Sequence, residues 1–351
     1  MMSGRKKALR LVAFFAVFFI LVQICDYVFM PYGTTEFLLR NVGKKDEDYN
    51  FVIVGSSHAA YAYDPQVISD ALGVNAYTLA VPGETLNQSI DVIKYAIETN
   101  HVETVLFDVD WQYFWNDSTE SGQLYETKYF ACTPFSITKC TELLRNCNTY
   151  DVRGAVSGRA IYQLTPDEIR HNLYVKSTDS WKDATIEEVN TKGMPDNYMG
   201  RGWFSAPDMT EEPSGKDYVD KMVEHSQAEF SQKMLEQMTE IKKVCDAAGV
   251  NLVCFSVPTT PYAESVWDLN NIHTQLATYF KSEGIEWFDG YFMKQSVFPR
   301  TTMDYRDLEG HITGSAGSRF TAVVAEILQK KAAGTYVKSD YFEAMPGVDT
   351  Q

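Results

Sequence analysis

Twelve consecutive residues without a polar side chain, Leu11 to Val22 (LVAFFAVFFILV), follow directly on a basic cluster of Arg5, Lys6, Lys7 and Arg10. A run this apolar must leave water, either inside a protein core or inside a bilayer. The apolar character continues through Ile24, Cys25, Val28, Phe29 and Met30, interrupted by Gln23 and Asp26. A membrane-crossing helix needs about 20 mostly apolar residues, and Leu9 to Met30 supplies them when Asp26 lies at the far interface. A cleaved signal peptide ends in small residues, whereas Gln23-Ile24-Cys25-Asp26-Tyr27 offers none, and Cys25 lacks the small residues that precede a lipoprotein cysteine. The segment therefore reads as a signal anchor. Residues 1–10 form a cytoplasmic basic segment, 11–30 a transmembrane helix, and by the positive-inside rule the remainder lies outside the cytoplasm.

Behind the anchor the chain has ample material for a core. Hydrophobic residues make up 45% and charged residues 22% of 351 positions, which excludes collagen-like, low-complexity and wholly disordered chains. A formal charge of −16 argues against nucleic acid as a partner, because phosphate backbones are bound by basic surfaces. Six cysteines show no Cys-x-x-Cys and no paired Cys/His spacing, so no zinc site is indicated and no cofactor or metal is called for. Cys132 has Cys140 and Cys147 within bridging range in sequence, but buried free thiols are the expected state.

Residues 31–50 are polar and charged, ending in Lys44-Lys45-Asp46-Glu47-Asp48, and read as a tether. The pattern then changes. Phe51 to Val54 is a short apolar run stopped by Gly55, as a buried parallel strand would be. Asp64-Pro65 opens a helix to about Leu72. Asn75 to Val81 reads as a second strand, Thr85 to Thr99 as a helix, and Thr104 to Phe107 as a third strand. Residues 112–226 lose the alternation and are taken as an insertion over the core, with helical segments near Ser136–Asn146 and Pro166–Tyr174. Glu229 to Ala248 is a long helix, Asn251 to Val257 a fourth strand, Thr274 to Glu283 a helix, Ile285 to Phe288 a fifth strand, and Ser315 to Ala333 a closing helix. Strands alternating with helices imply a three-layer α/β domain with a parallel sheet over residues 51–333. Residues 334–351 read as a loose tail.

Two loops carry chemistry. Val54-Gly55-Ser56-Ser57-His58 places a serine at the carboxyl end of the first strand, where open α/β sheets hold their ligands. Asp307-Leu-Glu-Gly-His311-Ile-Thr-Gly-Ser-Ala-Gly317 lies between the last strand and the last helix. A serine hydroxyl is a weak nucleophile until a histidine takes its proton, and that histidine needs an acid to fix its tautomer. Both loops can reach one edge of the carboxyl face. Gly310 tolerates positive φ and allows a sharp turn before His311. His58, His101, His171, His225 and His273 lie in less suggestive contexts.

These residues resemble those of the membrane-anchored SGNH (GDSL-type) hydrolase-like family. Val54-Gly55-Ser56-Ser57-His58 with Tyr63-Asp64-Pro65 looks like the first block, and Asp307…His311 with Gly314 and Ala316-Gly317 looks like the last. The likeness covers roughly residues 51–110 and 228–333. It implies a flavodoxin-like fold with five parallel strands, Ser57 as nucleophile, His311 as base, and Gly83 as the glycine of the second block. The family's final block is usually Asp-x-x-His, whereas three residues separate Asp307 from His311 here, so Asp307 is the first choice of acid with Asp304 and Glu309 as alternates. The third block usually carries an oxyanion-holding asparagine. Here the strand end reads Phe107-Asp108-Val109-Asp110-Trp111, which leaves the backbone N–H groups of Ser57 and Gly83, with Asn87 as a further donor. Trp111, Tyr113, Phe114 and Trp115 offer aromatic faces to a sugar, or else pack the insertion onto the core.

The leading expectation is an extracytoplasmic serine esterase or O-acyltransferase on a single-pass anchor, acting on acyl groups of a cell-surface glycan. The resemblance implies an acylated exported polysaccharide or teichoic acid as substrate and a membrane-bound O-acyltransferase as partner. The alternative is a non-catalytic accessory protein that keeps the fold and binds glycan or that partner. Ser57 and His311 within hydrogen-bond reach distinguishes the first from the second.

Overall fold

In a computed structural model, the described residues are 4–30, 33–44, 46–115, 129–146, 164–178 and 197–344. Helix α1 (Gly4–Phe29) is followed by α2 (Thr34–Val42), β1 (Phe51–Val54), α3 (Ser57–Ala62), α4 (Pro65–Leu72), β2 (Ala76–Thr78), α5 (Leu86–Thr99) and β3 (Thr104–Asp108). Then come α6 (Ile137–Asn146), α7 (Pro166–Ser177), the hairpin strands β4 (Asn197–Gly200) and β5 (Trp203–Ser205), and α8 (Gln232–Ala248). The chain closes with β6 (Asn251–Phe255), α9 (Leu269–Glu283), β7 (Glu286–Phe288), α10 (Gly314–Ala332) and α11 (Lys338–Tyr341).

Five strands form one parallel sheet in the order β2-β1-β3-β6-β7. That is the flavodoxin-like order, with the switch point between β1 and β3. Alternate side chains of the central strands serve opposite layers. Val52, Val54, Val105 and Phe107 join the core beneath α2, α5, α8 and α9, while Phe51, Ile53 and Leu106 join the core beneath α3, α4 and α10. With helices on both faces, each strand is buried throughout its length, which is why they read as unbroken apolar runs. The fold is the expected three-layer α/β architecture, preceded by one helix, Arg5–Phe29, long and apolar enough to cross a membrane.

Local signals set the element boundaries. Asp64 accepts hydrogen bonds from the N–H groups of Gln66 (3.0 Å) and Val67 (3.4 Å), with Pro65 in the first turn of α4. Thr85 and Gln88 make a reciprocal capping box at the start of α5. Helix α9 starts five residues before the expected Thr274 because Asp268 caps it through the N–H of Asn271 (2.9 Å). The free edge of β2 is covered where the Thr78 N–H donates to the Arg201 carbonyl in the β4–β5 turn (2.9 Å).

Two segments depart from the sequence reading. Residues 31–50 are not simply a tether, because α2 buries Phe37, Leu38, Leu39 and Val42 completely in the core. The charges at 44–48 obscured the amphipathic stretch before them. The tail is not wholly loose either: Tyr341 and Phe342 are buried against the second core, whereas residues 345–351 lie outside the described residues. Much of the 112–226 insertion likewise lies outside them. Cys245 and Cys254 are buried free thiols, but Cys140 is exposed, contrary to expectation, and Cys147 is not among the described residues.

Candidate active site

The nucleophile position is built by close packing at the end of β1. Gly55 has φ +154°, and a Cβ there would lie 2.8 Å from the Ala59 Cβ and 2.9 Å from the Asp108 Cβ. Only glycine lets the chain turn this tightly against β3, and the turn delivers Ser57 as the first residue of α3. The Ser57 Oγ lies 2.7 Å from His311 Nε2.

His311 is aimed by a loop that wraps its acid. Asp307 Oδ2 is 2.6 Å from His311 Nδ1. The other oxygen, Oδ1, accepts the backbone N–H groups of Glu309 (3.1 Å), Gly310 (3.1 Å) and His311 (3.3 Å). The extra residue relative to Asp-x-x-His is taken up in this turn, with Gly310 at φ +125°. Burial opposes ionisation of Asp307, but its bonds to His311 outweigh burial and hold the carboxyl below its usual range. Asp304 is committed elsewhere, to the Thr301 N–H (2.7 Å) and to Arg319. The Glu309 side chain faces Gln112 (3.4 Å).

A second histidine–carboxylate pair lies directly behind the first. His58 Nδ1 is 2.9 Å from Asp110 Oδ2, and the His58 and His311 rings stack with centroids 4.6 Å apart and planes 10° from parallel. Burial opposes protonation of His58, yet the charge and hydrogen bond of Asp110 prevail and raise the imidazole to about 10. Asp110 is correspondingly held below the usual carboxylate range despite its burial, so its charge is neutralised locally. Asp108, enclosed at the end of β3 and bonded to the Tyr63 hydroxyl (3.1 Å), is pushed up to about 7 by burial. Tyr61 packs edge-on against His311 at 5.6 Å, and Arg306 covers Tyr61. The sequence signal for His58 was its adjacency to Ser57. Its partner Asp110 stands 52 positions away, at the end of the neighbouring strand.

His58, Glu309 and His311 each bring a potential ligand atom to within 4.8 Å of the others. Parallel stacked imidazoles direct their in-plane lone pairs side by side rather than to one point, and His311 Nε2 is taken by Ser57. The arrangement serves proton transfer better than metal ligation.

A cleft of about 480 Å³ opens beside Ser57, lined among others by Gly83, Asn87, Gln112, Arg145 and Gln237. Ser57 occupies the first position of α3, where a backbone N–H has no partner within the helix, and Gly83 borders the cleft with φ +79°. Asn87 also lines the cleft, but its amide donates to Asn146 Oδ1 (3.1 Å) and its oxygen accepts from Arg145. Trp111 is not in the cleft. It is fully buried, packed edge-on against Trp267 at 5.2 Å. Phe114 and Trp115 likewise pack inward, on Phe230 and His225. The aromatic cluster after β3 therefore packs the insertion onto the core, and of its members Tyr113 alone borders the cleft.

The sequence matches no protein-family model and no curated protein. In three dimensions the chain is similar to a "putative acylhydrolase" from Bacteroides fragilis NCTC 9343, at 8% identity and TM-score 0.34, covering 85% of this chain and 94% of that one. It is also similar to a "GDSL-like lipase" from Bacteroides thetaiotaomicron VPI-5482, at 10% identity and TM-score 0.33, covering 80% and 88%.

Proposed function

We propose that the chain is a membrane-anchored serine acyl-ester hydrolase or O-acyltransferase. The observation that carries this reading is the continuous relay from Asp307 Oδ2 to His311 (2.6 Å) and from His311 Nε2 to Ser57 Oγ (2.7 Å). Ser57 Oγ attacks the ester carbonyl carbon while His311 Nε2 takes its proton, and Asp307 holds the imidazole in the tautomer that can accept it. The negative charge that forms on the carbonyl oxygen is met by the backbone N–H groups of Ser57 and Gly83. Collapse breaks the ester C–O bond, and His311 returns the proton to the leaving alkoxide. A water or a second hydroxyl then attacks the acyl-serine by the same route in reverse. Water gives hydrolysis; a sugar hydroxyl gives transfer.

The substrate we propose is an O-acylated, probably O-acetylated, cell-surface polysaccharide or teichoic acid. The polar wall of Asn87, Gln112, Arg145 and Gln237 supports a hydroxylated acceptor. Helix α1 and its basic start support an anchor with the domain outside the cytoplasm, where a membrane-bound O-acyltransferase would be the donor-side partner. The deciding experiment is labelling with a fluorophosphonate probe. Modification of the wild type and none of Ser57→Ala supports the reading. Absence of labelling in folded protein leaves the accessory, non-catalytic role in its place.

A further inference from the structure

Helix α6 is amphipathic with its faces reversed. In a water-soluble domain the apolar stripe of a surface helix is turned to the core. Here Thr138, Glu142 and Asn146 are buried, while Ile137 and Leu144 are 74% and 77% exposed and Phe135, just before the helix, is 69% exposed. Cys140 completes the outward stripe. The inward face is held to α5 by polar contacts alone. Glu98 accepts from the N–H groups of Ile137 (2.8 Å) and Thr138 (2.7 Å) and from the Thr138 hydroxyl (2.7 Å), Arg145 pairs with Asp91, and Asn146 accepts from Asn87.

The outward face is continuous with α1. The rings of Phe19 and Phe135 meet edge to face with centroids 5.4 Å apart. Phe19 lies ten residues before the end of α1 at Phe29, or about 15 Å along the helix axis. A hydrocarbon core is about 30 Å thick, so Phe135 sits beside the middle of the apolar run. The cation of this stretch is turned inward: Lys139 Nζ donates to the carbonyls of Thr133 (2.7 Å) and Ala131 (3.3 Å) and faces Asp26, the acid that interrupts α1.

We infer that Phe135 and the Ile137–Leu144 face of α6 are immersed in the lipid leaflet that surrounds the second half of α1. The ligand is the acyl region of the bilayer itself. Because Arg145 and Asn146 at the end of α6 also wall the cleft, immersion holds the mouth of the cleft at the membrane surface. This inference rests on α1 being seated in a bilayer as proposed above.

The test uses the full chain in phosphatidylcholine liposomes, with Cys25, Cys132, Cys140 and Cys147 replaced by serine and one cysteine introduced for a polarity-sensitive fluorophore. Leu144→Cys reports on α6, Phe18→Cys on α1, and Asp340→Cys on α11, in the opposite layer. With nitroxide-bearing phosphatidylcholine present, the labels at 144 and 18 should lose most of their emission and the label at 340 almost none. Quenching at 18 without quenching at 144 overturns the inference and leaves the anchor standing. Quenching at neither overturns both. A blue-shifted but unquenched label at 144 means that protein, such as a second copy, covers the face, and also overturns it. Ile137→Cys repeats the reading one turn and more away, and circular dichroism of each variant establishes that it is folded.

Discussion

The imidazoles of His58 and His311 lie face to face, 4.6 Å between centroids and 10° from parallel, each with a carboxylate of its own. Asp110 holds the inner ring at 2.9 Å and Asp307 the outer ring at 2.6 Å. The outer pair completes the relay to Ser57, and the inner pair is the platform on which the outer imidazole rests. An aspartate at the strand position where the related proteins carry an asparagine is thereby explained: it neutralises a buried histidine instead of facing an oxyanion.

Breaking the inner pair should leave one buried charge uncompensated. His58→Gln and Asp110→Asn are each expected to lower stability by about 3 kcal/mol in urea unfolding, and the double variant by clearly less than the sum. Additive losses would show that the two side chains do not act as a pair.

The same pair sets a pH dependence. The folded-state value of His58 is raised to about 10, above its unfolded value of about 6.5. Its contribution to stability is therefore complete below about 6.5 and is lost as pH rises through about 10. The depressed values of Asp110 and Asp307 act on the other side, contributing above the unfolded carboxylate range and fading as pH falls through their folded values. Melting temperature should decline from neutral to alkaline pH more steeply in the wild type than in His58→Gln. Parallel curves would remove His58 as the cause.

Ser57→Ala should reduce ester hydrolysis by about 10³-fold or more while preserving the circular dichroism spectrum. Ser56→Ala should be much milder, because the Ser56 hydroxyl makes no hydrogen bond and is not the one that meets His311. Equal losses from both substitutions would sink the assignment of the nucleophile.

For the acid, Asp307→Asn should lower kcat by about 10³- to 10⁴-fold, since an amide in that place favours the wrong imidazole tautomer. Asp304→Asn, which disturbs only the Thr301 cap and the Arg319 pair, should leave kcat nearly unchanged. Steady-state kinetics on an acetylated saccharide compares them directly, and a larger effect at 304 than at 307 would reverse the roles.

The parts of this molecule legible in the sequence are those whose cause is local. The apolar runs of β1, β3 and β6, the Asp64-Pro65 cap, the glycines at 55 and 310 and the serine after β1 each carry their signal within a few residues. The positions that escaped are decided by contacts across the fold. Asp110 needs its neighbour across the sheet, β1, to show that it faces His58. Trp111 follows the strand that bears the site, yet its indole turns inward to Trp267. Helix α2 was hidden because its burial depends on a core assembled from residues far along the chain.

The junction between α1 and the domain has a mechanical consequence. Four residues separate Phe29 from Thr34, a reach of at most about 14 Å. The last carbonyls of the helix are also gripped, with Asn172 Nδ2 donating to Val28 (3.1 Å) and Met30 (2.8 Å), and Lys176 Nζ to Tyr27 (3.0 Å) and Met30 (2.6 Å). An enzyme on a long leash sweeps a hemisphere and can meet its polymer anywhere along its length. A domain clamped to its own anchor keeps one standing height, so material must be brought to it. For a growing surface polymer this means treatment at the membrane-proximal end, as the chain emerges, and not along strands already laid down in the wall.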